Sequence, residues 1–149
     1  MITMDKSILR QTSNPVCLPE DIDILTKCKD ALLDEYHLHD GKMQGLAAIQ
    51  LSLPYQVILL RYKKGKQPKV AYNPKVLWKF GEYDSNEGCE SEKGRWIMKR
   101  PLLALVSYYD TKTKIKHYRL LQYKYARIFC HEYDHLYGIL ISDRGVRAK

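Results

Sequence analysis

His131 and His135 stand four positions apart in the segment His131-Glu132-Tyr133-Asp134-His135. On a helix of about 3.6 residues per turn, residues four apart return to one face, so both imidazoles can bind a single metal ion. Glu132 falls about 100° further round the helix. It is poorly placed as a third ligand beside His131, but it can reach a metal-bound water and take its proton, which is the position of a general base.

Two histidines on a helix can also be ordinary surface residues, so the third ligand is the discriminating feature. A catalytic metal usually has three protein ligands and one open position for water. A metzincin arrangement needs a histidine six residues after His135, and that position is Ile141. A thermolysin-like arrangement needs a downstream glutamate, and the fourteen residues after His135 include Asp143 but no glutamate. The third ligand is therefore sought upstream.

The best upstream candidate is Cys89, in Glu87-Gly88-Cys89-Glu90-Ser91. Alone it reads as an ordinary free thiol; beside the helix motif it reads as a ligand. The preceding glycine allows close backbone approach, and a thiolate completes a Cys-His-His set suited to iron(II), zinc or nickel. A third segment, Gly45-Leu46-Ala47-Ala48-Ile49-Gln50, offers small residues for close packing and an amide, on Gln50, that can donate to an oxyanion. Taken alone, this segment reads as a loop glutamine after a helix start rich in small residues.

The elements that must position these residues are legible from periodicity. Apolar residues at Leu25, Cys28, Leu32 and Tyr36 predict a helix over 20–37, which Gly41 then breaks. Short strands are predicted at 57–62, 69–72, 75–80, 102–109 and 115–120. Gly65 with Pro68 is expected to close one hairpin, Asn73-Pro74 to separate two strands, and Asp110-Thr-Lys-Thr to form a polar hairpin tip. The helical pattern returns over 122–137, with Tyr125, Ile128, Phe129, Glu132 and Leu136 on related faces and Gly138 as its stop. The result is a mostly antiparallel sheet region followed by the motif helix.

A chain of 149 residues has room for one core, so a single domain over 1–149 is expected. Apolar residues at 45% and charged residues at 28% are those of a soluble globular protein, and no stretch approaches the roughly 18 apolar residues of a membrane span. The N-terminus lacks the apolar run and small-residue cleavage site of a secretory signal, so a cytoplasmic location is expected, with Cys17, Cys28, Cys89 and Cys130 as free thiols. The net charge of +8 would attract polyanions such as RNA or a ribosomal surface. Its basic residues are scattered, however, and read first as a solvated surface.

The three segments, in this order, resemble the three signature motifs of the peptide deformylase family. That pattern runs glycine, apolar, glycine, apolar, Ala-Ala, any residue, Gln; then Glu-Gly-Cys-x-Ser; then His-Glu-x-x-His with aspartate in fourth place. The similarity extends to the stretch from Asp5 to Val16 and to the tail His135-Leu-Tyr-Gly-Ile-Leu-Ile-Ser-Asp-Arg144, and so covers most of the chain. The chain ends soon after the motif helix, so the long C-terminal helix of some relatives is not expected.

The resemblance implies an α+β fold, with antiparallel sheets packed around the C-terminal motif helix. It also implies a metal-dependent hydrolase that removes the formyl group from the N-terminal formylmethionine of newly made polypeptides and releases formate. Cys89, His131 and His135 would bind the metal, iron(II) in the working enzyme, with Zn2+, Ni2+ or Co2+ as alternatives in isolated protein. Glu132 would act as base and then acid, and Gln50 with the backbone N–H of Glu90 would stabilise the oxyanion. Gly45 would pair with the substrate backbone, and Gln44, Leu46, Glu87, Gly88, Phe129 and Cys130 would complete the substrate-binding set. The implied partners are N-formylmethionyl nascent peptides, with a ribosome contact through the basic surface and neither a membrane nor a specific nucleic acid.

This chain departs from the pattern in places. Met43 replaces the first glycine, Gln44 replaces the apolar residue between the glycines, and Ala126 and Phe129 occupy the methionine-pocket side of the helix. An amide at position 44 is expected to weaken methionine binding unless it finds a partner or faces water. Two alternatives stand beside the main reading: a catalytically weak relative with an altered pocket, and a basic RNA- or ribosome-binding module. The second leaves the ligand set unexplained.

Overall fold

The computed structural model describes residues 1–63 and 66–149. The hairpin turn expected at Gly65 lies outside the described residues.

After a single helical turn, α1 (Lys6–Leu9), the chain forms α2 (Ile22–Leu38), which buries Leu25, Cys28, Leu32 and Tyr36, the stripe its spacing predicts. Gly41 follows with φ 65°, a left-handed conformation that ends any helical continuation. The chain then enters β1 (Gly45–Ala47), a 3-10 turn (Ala48–Leu51) and β2 (Val57–Leu60). The next four strands are β3 (Lys69–Phe80), β4 (Tyr83–Cys89), β5 (Glu92–Arg100) and β6 (Leu103–Asp110). They are followed by β7 (Lys116–Gln122), the motif helix α3 (Lys124–His135), a short α4 (Ile141–Arg144) and β8 (Val146–Arg147).

These strands form two antiparallel sheets, one ordered β1-β2-β3-β6-β7 and the other β4-β5-β8. Leu59, Val57 and Tyr72 of the larger sheet pack in one cluster with Leu25, Leu32 and Leu46. Ile58, Leu60, Ala71 and Val106 face the other way and pack with Phe129 and Ala126 of α3. Successive side chains of a strand alternate between faces, so β2 and the first part of β3 are buried on both sides, between α2 and α3. No helix among the described residues is long and apolar enough to cross a membrane.

Two expectations need correction. Asn73-Pro74 does not separate two strands: β3 runs through it, with register shifts against β6 between Tyr72 and Lys75. Asn73 takes φ 49° and turns its amide onto the backbone of Val16, accepting from its N–H at 2.8 Å and donating to its carbonyl at 2.7 Å. The irregularity is thus a bulge, which also accommodates a proline that cannot donate to the ladder. The motif helix is shorter than its pattern, because Gln122 still pairs in β7 and Tyr123 alone makes the turn, at φ 47°. The polar tip at Asp110 forms as expected, its carboxylate accepting from the N–H of Lys112 at 2.7 Å.

Candidate metal centre

The centre is assembled from three elements that meet beside β1. α3 supplies His131 and His135 from one face, as the four-residue offset requires, with ring centroids 5.3 Å apart. The turn that follows the helix ends at Gly138, whose φ is 71° and where a Cβ would fall on the carbonyl of Arg10. A glycine there seats the end of the helix against the N-terminal segment. β4 ends on Cys89, whose Sγ lies 3.5 Å from His135 Nε2. The 3-10 turn after β1 delivers Gln50, whose Oε1 accepts from the N–H of Ala47 at 2.9 Å. Its Nε2 donates to Ser91 Oγ at 2.9 Å and lies 3.7 Å from Cys89 Sγ.

The donor atoms of Cys89, His131 and His135 all lie within 4.8 Å of one another. Tetrahedral ligands at ordinary zinc–sulfur and zinc–nitrogen lengths stand about 3.6 Å apart, close to the observed sulfur–nitrogen separation. The donor set therefore fits one divalent ion. Glu132 is buried beside it, and its Oε1 has no hydrogen-bond partner among the described residues. A Cβ at Gly45 would stand 2.5 Å from Glu132 Oε2, so only glycine lets the carboxylate lie against β1.

Charges behind the ligands set their protonation. Glu87 is fully buried, and burial alone would raise its pKa. Hydrogen bonds from His131 and Arg100 instead hold it down at about 2. Its Oε1 lies 2.9 Å from His131 Nδ1, which leaves Nε2 for a metal. Arg100 grips Glu87 through two hydrogen bonds, at 2.8 and 2.9 Å, and reaches Asp134 on α3 at 2.8 Å. Arg144 closes on the same aspartate at 2.8 and 3.0 Å.

Burial works against a proton on His131, but Glu132, Cys89 and Glu87 together raise its pKa well above the ordinary value. Burial and the neighbouring His131 hold His135 well below it. Burial pushes the Glu132 carboxyl up to about 7, against the pull of His131 and Arg100.

The cleft over this centre has a volume of about 380 Å3. Of the expected substrate residues, Gln44, Gly45 and Gly88 line it, as do Gln50 and Glu90. Four others do not face it. Leu46 is fully buried in the α2 cluster, and Phe129 is fully buried 6.4 Å from Tyr108, because both point away from the cleft. Cys130 opens instead toward a separate depression shared with Arg100 and Asp134. Glu87 is sealed behind His131, where it orients the ligand rather than touching a substrate.

Gln44 has found a partner: its Oε1 accepts from Arg127 Nη2 at 3.1 Å. The penalty expected for an unpaired amide is therefore absent. Spacing gave no sign of Arg100 or Arg127, each a lone polar residue whose role depends on what the fold brings to it, whereas Ser91 was visible as the last residue of its motif. Asp134 was visible as the fourth residue of the motif, but its partners were not.

The chain matches the family model described as Polypeptide deformylase over residues 1–149. It is 33% identical over 148 residues to the peptide deformylase of Lachnoclostridium phytofermentans, covering 95% of this chain and 85% of the relative. Against that of Bartonella quintana the identity is 34% over 158 residues, covering 100% and 85%. Among solved structures, the peptide deformylase of Plasmodium falciparum superposes with a TM-score of 0.84 at 29% identity, over 98% of this chain and 86% of that one. A probable peptide deformylase from synechococcus phage S-SSM7 gives 0.84 at 28% identity, over 97% and 98%. With motifs, fold and full-length matches in agreement, the chain belongs to the polypeptide deformylase family.

Proposed function

We propose that Cys89, His131 and His135 hold one divalent ion, iron(II) in the working enzyme, and that Glu132, Gln50 and Glu90 carry out the reaction around it. Membership of the family sets that reaction: a metal-dependent hydrolysis that removes the formyl group from an N-terminal formylmethionine. One observation carries the assignment to these residues. A Cys-His-His donor set lies within 4.8 Å, beside a buried carboxylate with a free oxygen, at the floor of an open cleft.

When bound, the metal supplies Lewis acidity, which makes water nucleophilic near neutral pH and draws charge from a carbonyl. Glu132 takes the proton from the attacking water with its unpartnered oxygen. The water oxygen bonds to the formyl carbon, and the Gln50 amide with the Glu90 N–H meets the charge that develops on the carbonyl oxygen. A donor of this kind is worth about 3 kcal/mol in the transition state. Glu132 then delivers its proton to the departing nitrogen, the carbon–nitrogen bond breaks, and formate and a free amino terminus leave.

The substrate backbone lies extended in the cleft. β1 and β4 are each the terminal strand of a sheet, and both contribute residues to the cleft, so an unpaired strand edge is available for backbone pairing at Gly45. Newly made chains in the cytoplasm are the substrates this reading implies.

The test is metal analysis and formate release on one anaerobic preparation, with a formyl-Met tripeptide as substrate. About one ion per chain and formate production are expected. A fully metal-loaded protein that releases no formate would overturn the assignment of activity to this site.

A further inference from the structure

Among the described residues, three cationic side chains line the cleft, Lys42, Arg95 and Arg127, and none of them pairs with a carboxylate. Arg127, on α3, is partly buried and donates one N–H to Gln44 Oε1 at 3.1 Å. Arg95, on β5, donates Nε to Asn86 Oδ1 at 2.7 Å and Nη2 to the Asn86 carbonyl at 2.8 Å. Its guanidinium lies over Gly88, where a Cβ would stand 3.2 Å from Nη1. Lys42 is exposed just before β1.

Both guanidiniums are thus held by neutral acceptors, which fix their orientation and leave their charge uncompensated. Arg10, Arg100 and Arg144 behave otherwise, each spending its charge on a carboxylate. The acids of the cleft are Glu90, exposed at its wall, and Glu132, buried beside the ligands. The walls therefore carry an excess of positive charge. Arg127 uses one of the five N–H groups a guanidinium offers, so others remain for an incoming carboxylate.

A formylated amino terminus is uncharged, so the charge a peptide brings into this cleft comes from its side chains. In an extended chain these alternate between faces, with a rise of about 3.3 Å per residue, so with the formyl group at the donor set the two that follow the formylated residue would fall within the cleft that these side chains line. We propose that the cleft selects formylated peptides with acidic side chains at the second and third residues, and that Arg95 and Arg127 determine this specificity. The inference rests on the deformylase reading of the site above.

The test compares formyl-Met-Glu-Glu-amide, formyl-Met-Gln-Gln-amide and formyl-Met-Lys-Lys-amide, whose amidated ends remove the terminal carboxylate. At low ionic strength kcat/KM should fall in that order, with about a tenfold ratio between the acidic and basic peptides, expressed in KM. At about 1 M salt, where the screening length is about 3 Å, the ratio should approach unity. Arg95→Gln and Arg127→Gln should each lower the acidic-to-basic ratio measured within the same variant, so that a general loss of activity does not count. Equal kcat/KM for acidic and basic peptides, or a ratio unmoved by salt and by both substitutions, would overturn the inference. Formate release from the glutamine peptide would still uphold the deformylase reading. If no peptide releases formate, that reading fails, and equilibrium binding of acetyl-Met-Glu-Glu-amide against acetyl-Met-Lys-Lys-amide decides the inference. Tighter binding of the acidic peptide supports it, and equal affinity overturns it.

Discussion

Glu132 keeps one carboxylate oxygen free and lays the other against Gly45, so its chemistry depends on the smallest side chain in its surroundings. Glu132→Gln preserves shape but removes the proton acceptor. Turnover should fall by about 10²- to 10⁴-fold while metal content stays at the parental level, as single-turnover kinetics and metal analysis would show. Gly45→Ala puts a methyl where the carboxylate lies and forces it aside. A kcat loss on the order of 10²-fold is expected with the metal retained, and turnover within a factor of about two would show that the close approach is dispensable. The four cysteines separate by environment. Burial pushes the Cys28 and Cys130 thiols up to about 11, whereas Cys17 is exposed. In metal-loaded native protein near neutral pH, mass spectrometry should therefore find Cys17 alkylated first and Cys28 and Cys130 only on unfolding. Fast labelling of Cys28 in the folded protein would contradict its placement in the α2 core.

At the scale of elements, Arg100 links three of them: it stands on β5, binds Glu87 on β4 and reaches Asp134 on α3. All three side chains are nearly or fully buried, so removing the cation takes two hydrogen bonds from Glu87, leaving it only His131, and leaves Asp134 only the half-exposed Arg144. Arg100→Leu should cost about 3–5 kcal/mol of stability, read from denaturant unfolding. Glu87→Gln acts on the ligand instead, and should weaken metal affinity about 10- to 100-fold through the lost orientation and basicity of His131. Affinity unchanged in Glu87→Gln would show that His131 needs no such support. The same elements explain why β4 and β5 escaped the hydrophobic pattern. Their buried positions include Ser85, Glu87 and Arg100, so polar residues face inward and the alternation of apolar residues that marks a strand is missing. α2 and α3 were legible because their buried stripes are mostly apolar.

For the whole molecule, the metal would join the end of β4, in the smaller sheet, to α3, which packs on the larger one. An ion bound only by the folded chain stabilises it by mass action, so chelation should lower the denaturation temperature by about 5–10 °C in calorimetry. Cys89→Ala should lower it in metal-containing buffer and abolish the response to chelator. A chelator-insensitive parent would mean that the three donors do not hold an ion in solution. The two long helices α2 and α3, most of the larger sheet and the three motifs followed from sequence alone, because helix periodicity and ligand spacing are local properties of the chain. Cys89, 42 residues before His131, could be nominated from its motif, but its distance from His135 could not be read. What the tertiary structure decided was everything that depends on residues distant in the chain. It turned Phe129 and Leu46 into core, set Arg100 behind the ligands, packed Glu132 onto Gly45 and gave Gln44 its partner in Arg127. Polar side chains carry no periodic signal of their partners; burial and geometry assign those only when the sheets and α3 come together.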